Sequence, residues 1–328
     1  MSNYKIYAIG AALVDTEVEV SDSFLSDNTI DKGVMTLVDQ LRQTELISSL
    51  HRSGSKLLRQ SGGSACNSVV AAAQLGSKTY FGGKVANDDD GKLYADDLTE
   101  AGVSHCFSPE NQGVTGTCLV MVTADADRTM NTYLGVSDNF SHMEINQTVL
   151  ADSEWFYVEG YLQTDDRRTV VVKSAVDFAK QQGVKVCLSL SDPFVAQLFA
   201  DNLKSVIGDG IDLIFCNRDE ALAFTGAADL TQAAESLKPY AKNFAITDGA
   251  KGATIFDGSS LIQVPGLKAK AIDTNGAGDM FAGVFLYAIT SGASYLKAAE
   301  LANQAAAMVV ERFGPRLKQA DFDALKIN

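Results

Sequence analysis

The segment with the clearest chemical potential covers residues 273–283 and has the sequence DTNGAGDMFAG. Its small residues Gly276, Ala277 and Gly278 open a long helical pattern, and such residues let a ligand approach the backbone closely. The N–H groups in the first turn of a helix lack partners and attract anions. Asp279 belongs to that turn, so we expect it to act as a general base beside an anion pocket. A glycine-rich loop with a favourable aspartate is the plain alternative.

Two glycines, Gly62 and Gly63, also precede a second predicted helix. Ser64 and Asn67 follow in its first turn, where an amide beside backbone N–H groups suits a ligand with many hydroxyls. Asp15 follows the first strand, where a lone acid can bind paired hydroxyls. The structural alternatives are a turn with a serine cap, and a solvated surface acid.

Polar residues also follow two later strands. Asn217 and Glu220 come directly after an apolar run and, three residues apart, share one face of a predicted helix. Carboxylate and amide oxygens at the carboxyl end of a strand suit hydrated Mg²⁺, although a capped helix start is the alternative. Thr247, Gly249 and Gly252 join two β-type runs and suit a nucleotide phosphate or ribose, while an ordinary hairpin turn is equally compatible.

The elements that must position these residues alternate between strand and helix. Apolar β-type runs predict strands at 5–9, 79–81, 155–158, 184–190, 211–216 and 244–247. Helical patterns predict helices at 65–75, 92–101, 167–182, 218–224, 230–241, about 276–291 and about 294–312. This alternation predicts an α/β fold with a doubly wound, mostly parallel sheet flanked by helices.

Three segments break the alternation, at about 14–20, 33–38 and 115–135. Residues 14–20 alternate strictly, which predicts a strand with one wet face. Residues 117–123 and 128–134 flank a polar turn, as in a hairpin. We therefore expect a small β-sheet that acts as a lid, within a single domain that spans residues 1–328.

Composition excludes several classes of protein. The 328 residues carry a net charge of −14, which argues against nucleic acid or an anionic membrane as the main partner. No apolar run reaches the roughly 18–20 residues of a membrane helix, and the start lacks signal-peptide features. With five scattered cysteines, we expect a cytoplasmic chain with reduced thiols. The sequence contains no Walker A loop and no Gly-x-Ser-x-Gly elbow, and no dinucleotide-binding fingerprint follows the first predicted strand.

In this order, the segments resemble the ribokinase-like family, also called the PfkB family of carbohydrate and purine kinases. The specific matches are the closing segment 273–281, the glycine segments at 62–67 and 82–91, and the Asn-x-x-Glu pair at 217–220. The resemblance covers nearly the whole chain. It implies a ribokinase-like fold and ATP-dependent phosphoryl transfer to a hydroxymethyl group, which depends mostly on positioning and charge neutralisation.

The resemblance also implies a role for each candidate residue. Asp279 would take the hydroxyl proton, and the N–H groups of residues 276–278 would hold the transferring phosphoryl charge. Residues implied to bind substrate are Asp15, Gly62, Gly63, Ser64 and Asn67. Residues implied to serve ATP are Thr247, Gly249, Gly252 and Asn303, with Asn217 and Glu220 for Mg²⁺, largely through water. Asp273 would belong to a K⁺ loop in the relatives that use K⁺.

Within the family, the chain is most similar to the adenosine kinases of bacteria. Arg128 opens a segment at 128–135 that resembles their lid strand, whose arginine reaches the phosphates. The ending at 313–316 (FGPR) also resembles theirs, whereas Ala11 stands where those kinases often have asparagine. We expect Mg²⁺, Arg128, Lys251 and the helix start at 276–278 to offset the acidic charge around ATP.

These resemblances predict phosphorylation of the 5′-hydroxymethyl group of a nucleoside, most simply adenosine to AMP. One alternative is a sugar kinase that acts on ribose, fructose or 2-keto-3-deoxygluconate. A more remote alternative is a non-catalytic ligand-binding regulator. We expect a monomer or a homodimer formed through the lid.

Overall fold

The computed structural model describes residues 3–52, 54–107 and 110–325. The strands are β1 (Tyr4–Ile9), β2 (Leu13–Glu19), β3 (Met35–Leu37), β4 (Leu58–Gly62), β5 (Thr79–Gly82), β6 (Ser104–His105), β7 (Gly116–Val122), β8 (Arg128–Tyr133), β9 (Ser153–Glu159), β10 (Lys185–Ser189), β11 (Ile211–Asn217), β12 (Ala241–Thr247), β13 (Gly252–Phe256) and β14 (Leu261–Pro265). The helices are α1 (Asp22–Asp27), α2 (Gln40–Arg52), α3 (Ser64–Gln74), α4 (Asp89–Glu100), α5 (Gln147–Ala151), α6 (Asp166–Gln181), α7 (Pro193–Leu198), α8 (Ala200–Ile207), α9 (Arg218–Thr225), α10 (Leu230–Leu237), α11 (Ala277–Thr290), α12 (Tyr295–Val309) and α13 (Gln319–Phe322).

The larger sheet has the strand order β14-β13-β12-β11-β10-β9-β1-β5-β6. Neighbouring strands are parallel from β12 to β6, whereas β13 and β14 pair antiparallel at one edge. In β1, Ile6 and Ala8 join the core that includes residues of α3, α11 and α12. Tyr7 and Ile9 join the core on the other face, with residues of α6 and α8. Helices on both faces explain why these strands are apolar without alternation, and the predicted doubly wound sheet is confirmed.

The smaller sheet has the order β3-β8-β7-β2-β4 and mixes parallel with antiparallel pairs. The chain enters it directly from β1 through residues 10–12. It contains the three predicted segments and also β4, which the pattern did not predict. The sequence of β4, LRQSG, has no apolar alternation, and antiparallel pairing with β2 holds it in the sheet.

The strand predicted at 14–20 forms as β2, but the expected wet face is wrong. Asp15 is 6% exposed and Glu17 is fully buried. On one face, Val18 packs with Leu46 of α2, while the face with Asp15 and Glu17 turns toward the main domain. Both faces of β2 are therefore covered along most of its length: Asp15 and Glu17 are buried, and of its three acids Glu19, at the end of the strand, is exposed.

Helix α10 ends earlier than predicted. It stops at Leu237 instead of residue 241, because Pro239 disfavours helix in the residue before it and Ala241 already begins β12. The two closing helices form as α11 and α12, within a few residues of the predicted ranges. None of the helices in the described residues is both long and apolar enough to cross a membrane.

Close packing of α3 against α11 brings two predicted site segments together. A Cβ at Gly283 would lie 2.2 Å from the carbonyl oxygen of Ser68, so a glycine in α11 is what permits this approach. Ser68 Oγ donates to the carbonyl oxygen of Asp279 at 3.0 Å. The first turns of both helices therefore meet side by side.

Candidate functional site

Asp279 lies in the first turn of α11, and both of its carboxylate oxygens accept hydrogen bonds from α3. Ser64 Oγ donates to Oδ1 at 2.5 Å, and Asn67 Nδ2 donates to Oδ2 at 3.0 Å. Burial raises the pKa of Asp279 above its ordinary value, while these two hydrogen bonds and the nearby Arg128 oppose the rise. A carboxylate held in this orientation, with raised basicity, is suited to general-base chemistry.

Asp279 lines a cavity of about 120 Å³ between the smaller sheet and the main domain. The wall that the smaller sheet supplies is largely apolar: Leu13, Met35, Leu37, Cys118, Val120, Met130 and Leu134. The polar lining residues include Asp15 of β2, which pairs in register with Cys118, and Ser64, Asn67, Glu159 and Asp279 of the main domain. Tyr161 is the aromatic residue among the described lining residues. We call this space the first cavity, and it suits a ligand with one apolar part and one polar part.

The predicted substrate residues divide into two groups. Asp15 lines the first cavity, and no described residue donates a hydrogen bond to its carboxylate; burial, followed by the adjacent Glu17, raises its pKa well above the ordinary value. Gly62 is not a lining residue but leaves room for Asp15, because a Cβ there would lie 2.0 Å from Cγ of Asp15. Gly63 lines the cavity with φ +92°, and a Cβ there would lie 2.3 Å from the carbonyl oxygen of Ala11.

A second cavity, of about 600 Å³, lies on the other side of the start of α11. Its lining includes all four residues predicted for ATP: Thr247, Gly249, Gly252 and Asn303. The Asn303 Nδ2 atom donates to the carbonyl oxygens of Val264 (3.4 Å) and Pro265 (3.2 Å), which ties α12 to the end of β14. Lys268 is the one charged side chain among the described lining residues. Lys251 does not line the cavity and instead pairs with Asp248 at the surface.

The N-terminus of α11 separates the two cavities. Asp279 lines the first cavity, whereas Ala277 and Gly278 line the second. Gly276 caps the helix with φ +72° and no side-chain hydrogen bond. Within the described chain, no acceptor meets the N–H groups of Gly276 and Gly278. The partly positive helix start is therefore directed at the junction between the cavities.

Arg128 reaches the same junction from β8. Its Nη1 atom donates to the carbonyl oxygen of Thr274 and to Oδ1 of Asn275, each at 3.4 Å. Among the described residues it pairs with no carboxylate, although it is close enough to lower the pKa of both Asp279 and Glu220. The junction therefore holds a guanidinium group that has no described counter-ion, an arrangement that suits an anionic ligand.

Asn217 and Glu220 bind each other across the start of α9. Glu220 Oε2 accepts from the Asn217 N–H at 3.0 Å, its Oε1 accepts from Asn217 Nδ2 at 2.6 Å, and Asn217 Oδ1 accepts from the Glu220 N–H at 2.8 Å. This is the capping box that stood as the structural alternative. Burial, and then the charge of Asp192, raise the pKa of Glu220 to about 7, against the hydrogen bond from Asn217. In the described part of the chain, no group of three or more His, Cys, Asp or Glu could hold a metal ion.

Asp273 is fully buried and braces the turn before α11. Its Oδ1 accepts from the Asn275 N–H at 2.8 Å, and its Oδ2 accepts from the Gly314 N–H at 3.0 Å. Asn275 Nδ2 in turn donates to Glu17 Oε1 at 2.6 Å. The turn is thus joined both to the segment after α12 and to the smaller sheet.

Two residues that contact the site were not predicted as site residues from the sequence. Glu159 ends β9, and its carboxylate accepts from the N–H groups of Ala11 (3.1 Å) and Ala65 (2.8 Å); burial raises its pKa to about 7. An acid at the carboxyl end of a buried strand is a signal that could have identified it. Arg316 donates to Asn67 Oδ1 at 3.0 Å from a segment 249 residues away, and no local pattern indicates that contact.

Comparison with known proteins places the chain in a family. Residues 36–321 match the profile described as pfkB family carbohydrate kinase. The chain belongs to the pfkB family. An adenosine kinase of Saccharomyces cerevisiae is 26% identical over 94% of this chain and 96% of its own length. A ribokinase of Haemophilus influenzae is 30% identical over 77% of this chain and 82% of its own.

Solved structures give the same fold. The adenosine kinase from Sinorhizobium meliloti has a TM-score of 0.91 and 32% identity, with 98% of this chain and 99% of that one covered. A probable sugar kinase from Rhizobium etli has the same TM-score and identity, with 99% and 100% covered. The predicted ribokinase-like fold, the predicted family and the predicted class of enzyme, an ATP-dependent kinase, are confirmed.

Proposed function

We propose that this pfkB-family kinase transfers the γ-phosphoryl group of ATP to the 5′-hydroxyl of a nucleoside, with adenosine as the first candidate. The observation that carries the proposal is that the lining of the first cavity has an apolar part and a polar part. A nucleoside has an apolar, flat base and a ribose with several hydroxyls. The apolar residues of the smaller sheet suit the base, and the carboxyl groups of Asp15 and Asp279 suit the ribose. A sugar offers no apolar part to cover that wall.

In this proposal Asp15 and Asp279 have different roles. Asp15, which has no donor in the described residues, accepts hydrogen bonds from ribose hydroxyls. Asp279 accepts the proton of the attacking hydroxyl, oriented by Ser64 and Asn67. The smaller sheet acts as a lid that covers the base and excludes water.

The transferring phosphoryl charge is stabilised at the junction of the two cavities. The N–H groups of residues 276–278 face that charge, and the guanidinium group of Arg128 supplies a positive charge beside it. ATP occupies the second cavity, with its terminal phosphate against the start of α11. Among the described residues no group of three or more His, Cys, Asp or Glu could bind a metal ion directly, so the residues present suit hydrated Mg²⁺ held through its water ligands. When bound there, Mg²⁺ neutralises phosphate charge, and Asn217 and Glu220 would hold it largely through water.

The base assignment is tested with Asp279→Asn. We expect at least a ~100-fold loss of turnover, because the amide cannot accept the hydroxyl proton. Nucleoside binding, measured by calorimetry, should largely persist. Asp229→Asn is the matched control: it makes the same substitution at the exposed N-cap of α10, where asparagine caps equally well. Substantial turnover by Asp279→Asn would show that the base is misassigned.

The substrate class is tested by ADP release over adenosine, inosine, guanosine, ribose, fructose and 2-keto-3-deoxygluconate. We expect nucleosides, adenosine first, to exceed the free sugars in kcat/KM. The sugar-kinase alternative keeps support from the ribokinase and probable sugar kinase relatives. Turnover of a free sugar well above that of adenosine would reject the nucleoside proposal while leaving the kinase chemistry intact.

The apolar wall offers a sharper test of base binding. Leu37 lines the first cavity although it is 54% exposed, so its replacement should not disturb folding. Covering the rest of this side chain with a base is worth about 1 kcal/mol, so Leu37→Gln should raise the nucleoside KM about fivefold. Leu41→Gln is the control, since Leu41 is 69% exposed in α2 and does not line the cavity. Equal effects of the two variants would contradict a base at this wall.

A further inference from the structure

Arg316 lies in the segment after α12, with its side chain 11% exposed, and each of its guanidinium nitrogens donates at least one hydrogen bond. Nε donates to Asn67 Oδ1 at 3.0 Å, and Nη1 donates to Asp97 Oδ2 at 2.9 Å. Nη2 donates to the carbonyl oxygen of Ser61 at 2.5 Å and to its Oγ at 2.9 Å. One buried guanidinium therefore joins α4, the end of β4 and the first turn of α3.

The contact with Asn67 fixes which way its amide points. An asparagine amide has one accepting end and one donating end, and a guanidinium can only donate. The Asn67 oxygen must therefore face Arg316, which leaves its Nδ2 on the opposite side, 3.0 Å from Oδ2 of Asp279. Arg316, Asn67 and Asp279 form a directed chain of hydrogen bonds that ends on the carboxylate.

The same segment also contacts the turn on the other side of Asp279. The Gly314 N–H donates to Asp273 Oδ2, and a Cβ at Gly276 would lie 2.4 Å from Cβ of Pro315. Residues 314–316 thus touch both the anion turn and the helix that orients the carboxylate. No substrate or ATP residue of the proposed mechanism lies in this segment, so its contacts act through other residues.

We propose that Arg316 is a positioning residue for phosphoryl transfer, which holds the Asn67 amide so that Asn67 donates to Asp279. This inference rests on the proposed role of Asp279 as the base. Arg316 does not touch the reacting atoms and acts only through Asn67. Its loss should therefore lower kcat more than it raises KM, because the base is misoriented while the cavity remains.

The pH profile separates positioning from a merely structural role. The charged groups that face Asp279 are Arg128 and Arg316, and the carboxylates of Asp15, Glu159 and Glu220. Without Arg316 the Asn67 amide can turn away, and a positive charge is also lost. Both changes favour the protonated form of Asp279, so the acid limb of the kcat profile should move to higher pH.

The experiment compares Arg316→Met and Arg316→Lys with the control Arg312→Met, in the full chain. Arg312 lies in the same part of the chain and pairs with Asp321, away from Asn67. We expect Arg316→Met to lower kcat about 10- to 100-fold, as a displacement of the order of 1 Å does, and to shift the acid limb. Arg316→Lys should recover part of kcat, since a lysine can still donate to the amide oxygen. Arg312→Met should lower only the thermal midpoint.

A double-mutant cycle decides between the outcomes. In an Asn67→Ala background, Arg316→Met should have little further effect on kcat, because the link to Asp279 is already absent. Additive effects, or an unmoved acid limb in a folded Arg316→Met protein, would overturn the proposal. Failure of the proposed base and failure of the positioning role can be distinguished. Substantial activity of Asp279→Asn rejects Asp279 as the base. If Asp279→Asn is inactive but the pH profile of Arg316→Met is not shifted, only the positioning role of Arg316 is rejected.

Discussion

The two ends of helix α3 provide a matched pair of glycines for a quantitative test. Gly63, just before the helix, has φ +92°, and Gly76, just after it, has φ +101°. An alanine at either position pays for the left-handed backbone, which costs about 1–2 kcal/mol. At Gly76, a Cβ would meet nothing within 4 Å, whereas at Gly63 it would lie 2.3 Å from the carbonyl oxygen of Ala11. Gly63→Ala and Gly76→Ala therefore differ in that only Gly63→Ala adds a steric clash to the backbone strain.

The clash can be converted into expected effects. Relief to 3.0 Å requires a displacement of about 0.7 Å, and overpacking of this kind costs roughly 1–3 kcal/mol in addition to the strain. The atoms that must move are the Ala11 backbone, which lines the first cavity, and the start of α3, where Ser64 donates to Asp279. A displacement approaching 1 Å at a catalytic group can reduce the rate by about 10²-fold.

We therefore expect Gly63→Ala to lower the free energy of unfolding by about 2–5 kcal/mol and kcat/KM by about 10- to 100-fold. Gly76→Ala should lose about 1–2 kcal/mol of stability with unchanged kinetics. Urea unfolding and ADP release, measured on the same preparations, give both quantities. Wild-type kcat/KM in a folded Gly63→Ala protein, or an equal loss of activity in Gly76→Ala, would refute this account of the site.

Two further predictions concern charge. Lys268→Ala should raise the KM for ATP about fivefold, because a partly solvated ionic contact is worth about 1 kcal/mol. Lys251→Ala is the control and should leave this KM unchanged, since Lys251 does not line the second cavity. Equal KM values in the two variants would exclude Lys268 from the ATP site. Burial raises the pKa of Glu159 from 4.5 to about 7, so its contribution to stability is present below pH 4.5 and is lost as the pH rises through 7. Relative to wild type, Glu159→Gln should therefore be less destabilised at pH 8 than at pH 5 in urea unfolding, and a difference that does not change with pH would contradict the burial argument.

The sequence predicted the larger sheet and the two cavities' principal residues because both depend on local signals. Buried parallel strands are apolar throughout, and the start of α11 carries its own glycines and its own acid. Asp279, Asp15 and the residues around Thr247 could therefore be proposed as site residues without a structure. The smaller sheet was harder to predict, because β4 has no apolar pattern and pairs only by its backbone with β2.

The residues that could not be predicted owe their roles to distant contacts. Glu159 resembles an ordinary strand end until the packing places it between the N–H groups of Ala11 and Ala65. Arg316 contacts Asn67 although 249 positions separate the two residues in the sequence. The expected wet face of β2 was wrong for the same reason, since a strict alternation in sequence does not reveal that a second layer covers the polar side.

The distribution of charge explains how a chain of net charge −14 can bind a polyphosphate under the proposed function. The first cavity contains the carboxyl groups of Asp15, Glu159 and Asp279, whose pKa values are raised chiefly by burial. Such a cavity repels phosphates and accepts neutral hydroxyl donors. The second cavity has no carboxylate among its described lining residues; it has Lys268 and the positive start of α11. Under the proposed function, charge therefore favours the neutral nucleoside in the first cavity and the polyphosphate in the second, and only their reacting ends share the junction at Arg128.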